Sequence, residues 1–236
     1  MGLEINVAQA LRHRKDQFKA VGEKAQAPSE ISTARSIERM PVAEPPFRWQ
    51  SIMVPAILPT VLFSIGEGAI IPVIPIAADN LGASLAIAGL IAALLMVGEL
   101  FGNIPSGWVI ARVGERPAMI GASALSVVGL VICVIAPNPV ALGFGVLLVG
   151  LATAVFALAR HAFMTSFVPI AYRARALSTL GGTFRLGYFI GPFLTAVMIN
   201  LTGTASSAFW IHIVMCLSAA IMLITLPDPT ATFGSV

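Results

Sequence analysis

Long apolar runs separated by short polar gaps fill the chain from residue 49 onward. A hydrocarbon core of about 30 Å takes roughly 20 helical residues to cross. Six runs reach that length, at residues 52–78, 84–111, 117–136, 140–163, 176–200 and 208–226. Helix is the required conformation, because lipid offers no partner to an open strand edge. Alternation with period two is absent; residues 142–158, for example, are small or apolar throughout. The pattern predicts an all-α membrane protein with six transmembrane helices. The domain scheme is a basic tail over 1–48, a six-helix transmembrane domain over 49–228, and a short tail over 229–236.

Residues 1–48 differ in kind. Charges run throughout, and Pro and Ser punctuate residues 27–46, the composition of a flexible tail. No apolar core of 7–15 residues suits a signal peptide, so no cleavage is expected. Leu3, Val7, Leu11, Phe18 and Val21 fall near one helical face, which suits either an interfacial helix or a nascent helix in a disordered tail.

Composition agrees with the span count. Hydrophobic residues make up 57% and charged residues 11%, with mean hydropathy +0.91. A soluble domain would carry about a quarter charged residues. Eight of the 14 Lys and Arg lie in residues 1–48, so the net charge of +3 is no nucleic-acid patch. The six basic residues beyond it are Arg112 and Arg116 in one gap, Arg160, Arg173 and Arg175 around another, and Arg185 inside a run. The gaps near Asp79-Asn80, 137–139 and 202–207 hold none. Basic residues on alternate loops obey the positive-inside rule. Both termini are therefore expected in the cytoplasm, with a bacterial cytoplasmic membrane as the expected location. Cys133 and Cys216 lie within apolar runs and read as small core residues; neither a disulfide, a metal site nor a cofactor is expected.

Sliding the sequence by 89 positions lays Gly98, Gly102 and Gly114 on Gly187, Gly191 and Gly203. The same shift lays span 2 on span 5 and span 3 on span 6. Three helices per unit is odd, so the second copy must be inverted, and a 3+3 inverted repeat recurs in secondary transporters. The pairs Gly98/Gly102 and Gly187/Gly191 also have a packing role, since small residues four apart let helix backbones approach.

Two motifs carry a family resemblance. Gly107-Trp108-Val109-Ile110-Ala111-Arg112-Val113-Gly114-Glu115-Arg116 resembles the loop 2–3 signature of the major facilitator superfamily, with matches at Gly107, Arg112, Gly114 and Arg116. Ala111 stands where the family has an acid. Gly114 is expected to turn the chain with φ > 0, and the two arginines to clamp a neighbouring helix as a cytoplasmic gating loop. Gly187-Tyr188-Phe189-Ile190-Gly191-Pro192 looks like the helix-bending and packing element of the family's drug:proton antiporters, although Thr195-Ala196 replace its following glycines. The basic signature expected early in span 4 is missing, because no Arg lies in residues 139–159. Pro55, Pro59, Pro72 and Pro75 are expected to break span 1, the span that lines the family's cavity.

The resemblance covers about residues 50–226 and corresponds to the N-terminal six-helix half of a twelve-helix transporter. It implies secondary transport of a small solute by alternating access. The missing half implies a homodimer, a separate second six-helix chain, or a fragment. Expected partners are then the lipid bilayer and a small-molecule substrate, without nucleic acid. A non-transporting six-helix membrane protein is the alternative. Enzyme chemistry is not expected, since His-Glu-x-x-His, Gly-x-Ser-x-Gly, paired intramembrane Asp and a Walker phosphate loop are all absent.

Charges within spans complete the reading. Glu67, Glu99 and Arg185 lie near the middles of spans 1, 2 and 5, where a charge is costly enough to mark a substrate or coupling candidate. Arg185 is the expected partner of Glu67, and Gly66 and Gly68 on either side of Glu67 give a substrate or ion room to approach. Arg160, near the end of span 4, is expected to snorkel to the interface. His161 and His212 read as packed or hydrogen-bonded residues.

Overall fold

The structure is a computed structural model that describes residues 49–225, with side chains from residue 57. The expected tail helix around residues 3–21, and the tails at 1–48 and 229–236, lie outside the described residues. Those described form seven helices and no strand: α1 (Trp49–Ile70), α2 (Ile74–Asn80), α3 (Leu85–Val113), α4 (Glu115–Ile135), α5 (Pro139–Phe167), α6 (Ile170–Thr202) and α7 (Ser207–Thr225). Five are long and apolar enough to cross a membrane, and the bent pair α1 and α2 makes a sixth if it is counted as one span. The protein is an integral membrane protein.

Span 1 bends by 41° between α1 and α2. Pro72 sits in the break and Pro75 in the first turn of α2, where a missing N–H is tolerated. Pro55 and Pro59 were expected to break the span too, yet α1 runs continuously through both. Each costs one backbone bond without ending the helix. Pro105 and Pro192 likewise lie inside continuous α3 and α6.

Connections at one end of the bundle are very short. Gly114 alone joins α3 to α4, with φ at +87° and its N–H on the Ile110 carbonyl at 2.9 Å. Val168 and Pro169 alone join α5 to α6. The helices run further than the hydropathy pattern indicates: Arg173 and Arg175 lie in the first two turns of α6, not in a loop. Asn138 and Ser84 cap α5 and α3 through their side-chain oxygens.

Neighbouring helices follow the order α3, α5, α4, α7, α1, α6. The core lies among α1, α4, α5 and α7, centred on Phe63, Leu130, Leu142, Val149, Phe156 and Phe209. α3 and α6 are the least buried spans. Glycine makes their seams. A Cβ at Gly187 would lie 2.6 Å from that of Ser64 on α1, and one at Gly98 would strike the Leu147 carbonyl on α5.

A buried charged site between spans 1, 4 and 5

On α1, Thr60, Ser64 and Glu67 recur at the spacing of one helical face, and all three are fully buried. On α5, Thr153 and Arg160 share a face seven residues apart, 5% and 6% exposed. Between these polar groups the aromatic rings of Phe63 and Phe156 stack with centroids 4.1 Å apart and planes 8° from parallel. His212 of α7 meets Phe63 edge-on at 5.4 Å. Gly66 leaves room for that imidazole, because a Cβ there would collide with it.

Glu67 is the centre of this cluster. Neither carboxyl oxygen has a hydrogen-bonding partner among the described residues. The hydroxyls of Tyr188 on α6 and Thr153 stand close enough to act on the carboxyl as donors without completing a bond of ordinary geometry, and Arg160 and Glu99 act on it electrostatically. The guanidinium of Arg160 lies 4.1 Å above the Phe184 ring, a favourable cation–π placement. An acid and a base of different helices thus act on one another electrostatically from either side of the stacked Phe63 and Phe156 rings. Such a pair holds charge in low dielectric, where adding a proton or a polar solute changes the balance strongly.

Two expectations about charge are corrected here. Arg185 does not pair with Glu67; it is exposed on α6. Gly187, Gly191 and Thr195 face α1, and Arg185 stands about 200° around the helix from Gly187. Arg160 is the basic residue that acts on Glu67 electrostatically. Nor does Arg160 snorkel: α5 continues to Phe167, two turns beyond it, so its head stays inside the bundle. Glu99 on α3 is half-buried and within electrostatic reach of Glu67. His161 is exposed and bonds the Ala157 carbonyl of its own helix at 2.6 Å.

The loop 2–3 signature lies at the end of the bundle where α3, α5 and α7 finish. Arg116 donates from Nε to the Leu223 carbonyl at 2.5 Å, gripping the last turn of α7. Glu115 accepts from Ser166 of α5 at 2.8 Å. Arg112 is exposed and lies 4.4 Å over the Trp108 ring. Gly107 is exposed with open space around it. With Ala111 apolar, Glu115 is the acid that ties this corner to a neighbouring helix.

Thr60, Ser64, Thr153 and Tyr188 escaped the sequence reading. Their signal was present as polar residues at helical spacing within apolar runs. Tyr188 also stands 89 positions after Glu99, and both act on Glu67.

Six spans closed around a buried charged site define a class of polytopic membrane protein. The Major Facilitator Superfamily profile matches residues 57–234, and the chain belongs to that superfamily. It is 26% identical over 139 residues to a probable inositol transporter 2 of Arabidopsis thaliana, covering 59% of this chain and 24% of that protein. It is 23% identical over 180 residues to the galactose-proton symporter of Escherichia coli K12, covering 76% and 39% respectively. The chain thus spans between a quarter and two-fifths of the curated relatives it matches.

Proposed function

We propose that this chain forms a six-helix half of a secondary transporter that moves a small polyhydroxylated solute by alternating access. Glu67 is the coupling group and Arg160 its counter-charge. The observation that carries this reading is a fully buried carboxyl that completes no hydrogen bond of ordinary geometry, on which a buried guanidinium of another helix acts electrostatically. Burying such groups is costly, and a membrane protein tolerates the cost where an ion or substrate uses them. Hydroxyls of Ser64, Thr153 and Tyr188 beside the carboxyl suit a sugar or polyol, the substrates named for the inositol and galactose relatives. Glu99 on α3 is the second acid of the site, and Arg185 serves from the exposed face of α6.

The helix order supports a 3+3 inverted repeat. Exchanging span 1 with 4, 2 with 5 and 3 with 6 turns the order α3, α5, α4, α7, α1, α6 into its own reverse. The repeat-related Gly114 and Gly203 both cap helices at positive φ, +87° and +71°. A second six-helix half, from another chain or a second copy, would complete the pathway against α3 and α6. The partial coverage of the relatives and the shallow burial of these two spans support it. In this arrangement both termini face the cytoplasm of a bacterial cell.

Uptake of labelled galactose and inositol into proteoliposomes tests the function. Wild type is expected to accumulate one of them under an imposed pH gradient. Glu67→Gln keeps volume and hydrogen-bonding capacity but cannot carry a proton charge, so it should exchange solute yet fail to accumulate it. Full accumulation by Glu67→Gln sinks the coupling role, and no uptake of either solute sinks the substrate class.

A further inference from the structure

The break in span 1 leaves a carbonyl without its helical donor. In an unbroken helix the Val73 N–H would bond to the Ala69 carbonyl four residues earlier. Pro72 interrupts the run, and the Val73 N–H turns instead to the Ile70 carbonyl at 2.9 Å. Ala69 is fully buried, so water cannot replace the lost donor. Thr195 of α6 supplies it: its hydroxyl donates to the Ala69 carbonyl at 2.8 Å.

Several other hydroxyls in the spans bond within their own helix. Ser106, Ser123, Thr179, Thr183 and Thr202 each return their hydrogen to a carbonyl four residues back on their own helix. Thr195 reaches across a helix seam instead, and it is only 3% exposed. One turn earlier, Gly191 brings the two backbones together, since a Cβ there would lie 2.5 Å from the Ala69 nitrogen. Thr195 also occupies a position where the resembled glycine-rich element carries glycine, which has no hydroxyl to give.

We propose that Thr195 is a positioning residue: it clamps the Ala69 carbonyl, fixes the break in span 1, and so sets the placement of Glu67 two residues earlier. The proposal rests on the reading of Glu67 as the coupling carboxylate. Loosening the clamp frees the break, and the segment carrying Glu67 samples other orientations.

Two measurements on the full chain in lipid nanodiscs test it, with Thr195→Val as the isosteric loss and Thr195→Ser as the rescue. Hydrogen exchange of the amides of Ile71, Val73, Ile74, Ile76 and Ala77 should rise about five- to tenfold in the valine variant, while α4 amides stay unchanged. Reaction of Glu67 with a hydrophobic carbodiimide, read by mass spectrometry, should change severalfold in rate. Serine should restore both readouts. Wild-type exchange in Thr195→Val overturns the proposal, as does an equal rise through every span or a serine variant as loose as valine. Raised exchange with unchanged Glu67 labelling also overturns it, because the clamp then would not position the acid. If both readouts change but Glu67→Gln accumulates solute normally, the clamp stands and the coupling reading falls. Should Thr195→Val fail to reach the membrane, Pro72→Ala decides. A healed helix supplies its own donor to Ala69, so the Thr195→Val/Pro72→Ala double variant should reach the membrane again; its absence there overturns the proposal.

Discussion

Glu67 and Arg160 are both buried inside the bundle, where an ion is costly, and each acts electrostatically on the other. A single charge at mid-helix costs about 2.5–3.5 kcal/mol on insertion scales. Attraction across the interior offsets part of that without a contact ion pair, since the Glu67 oxygens lack partners. Neutralising one group strands the other. Glu67→Gln and Arg160→Gln should therefore each lower the thermal unfolding midpoint in detergent. The double variant should recover a coupling of about 0.5–3 kcal/mol. Arg185→Gln, at an exposed position, should stay within about 0.5 kcal/mol of wild type. Strictly additive losses at 67 and 160, or a coupling of 67 with 185 instead, would refute the assignment. Glu67 was legible in the sequence because a lone acid inside an apolar run stands out. Its partner was not. Which Arg faces it depends on helix phase, and the true end of α5 lies four residues past the hydropathy boundary at 163.

At the scale of helices, backbone contact at glycine does the joining that burial of apolar surface does in water, since lipid rewards no such burial. Glycines in one helix are accordingly not equivalent. In α6, Gly187 and Gly191 press on α1, whereas Gly181 and Gly182 have open space about them. Gly187→Val should push the seam apart and destabilise the protein by roughly 1–3 kcal/mol, as overpacking does. Gly182→Ala should be neutral or stabilising by up to about 1 kcal/mol, from helix propensity. Thermal melts monitored with a thiol-reactive dye separate the two, because Cys133 and Cys216 are buried until the bundle opens. Equal effects at 182 and 187 would mean the seam does not matter. The spacing Gly98/Gly102 and Gly187/Gly191 was readable in advance, since four-residue periodicity fixes a common face. The proline pattern was less so. Pro55, Pro59 and Pro72 look alike in sequence, yet only the last accompanies a break, where three residues leave helical geometry.

Over the whole molecule, two electrostatic preferences compete at the start of α6. Cations are unfavourable at a helix N-terminus, yet Arg173 and Arg175 stand in its first two turns. Arg173 turns back to bond the Val168 carbonyl at 2.9 Å, the C-cap of α5, where a cation is favoured. The dipole term is worth at most about 1 kcal/mol at an exposed site. Retaining arginines beside a span is a stronger constraint when they set orientation during insertion. The bundle end holding Arg112, Arg116, Arg173 and Arg175 is therefore predicted to face the cytoplasm, and the loop at residues 203–206 the outside. Single cysteines at Ala171 and Ser206 test this, both positions being exposed and at opposite ends of α6. A membrane-impermeant maleimide applied to intact cells should label Ser206→Cys and spare Ala171→Cys, and inside-out vesicles should reverse the result. Background from Cys133 and Cys216 is low, since both are buried. Labelling of Ala171→Cys in intact cells would invert the protein. Arg116, Glu115 and Ser166 would then form a contact at the outer surface, and the proposed cytoplasmic gate would be lost with the topology.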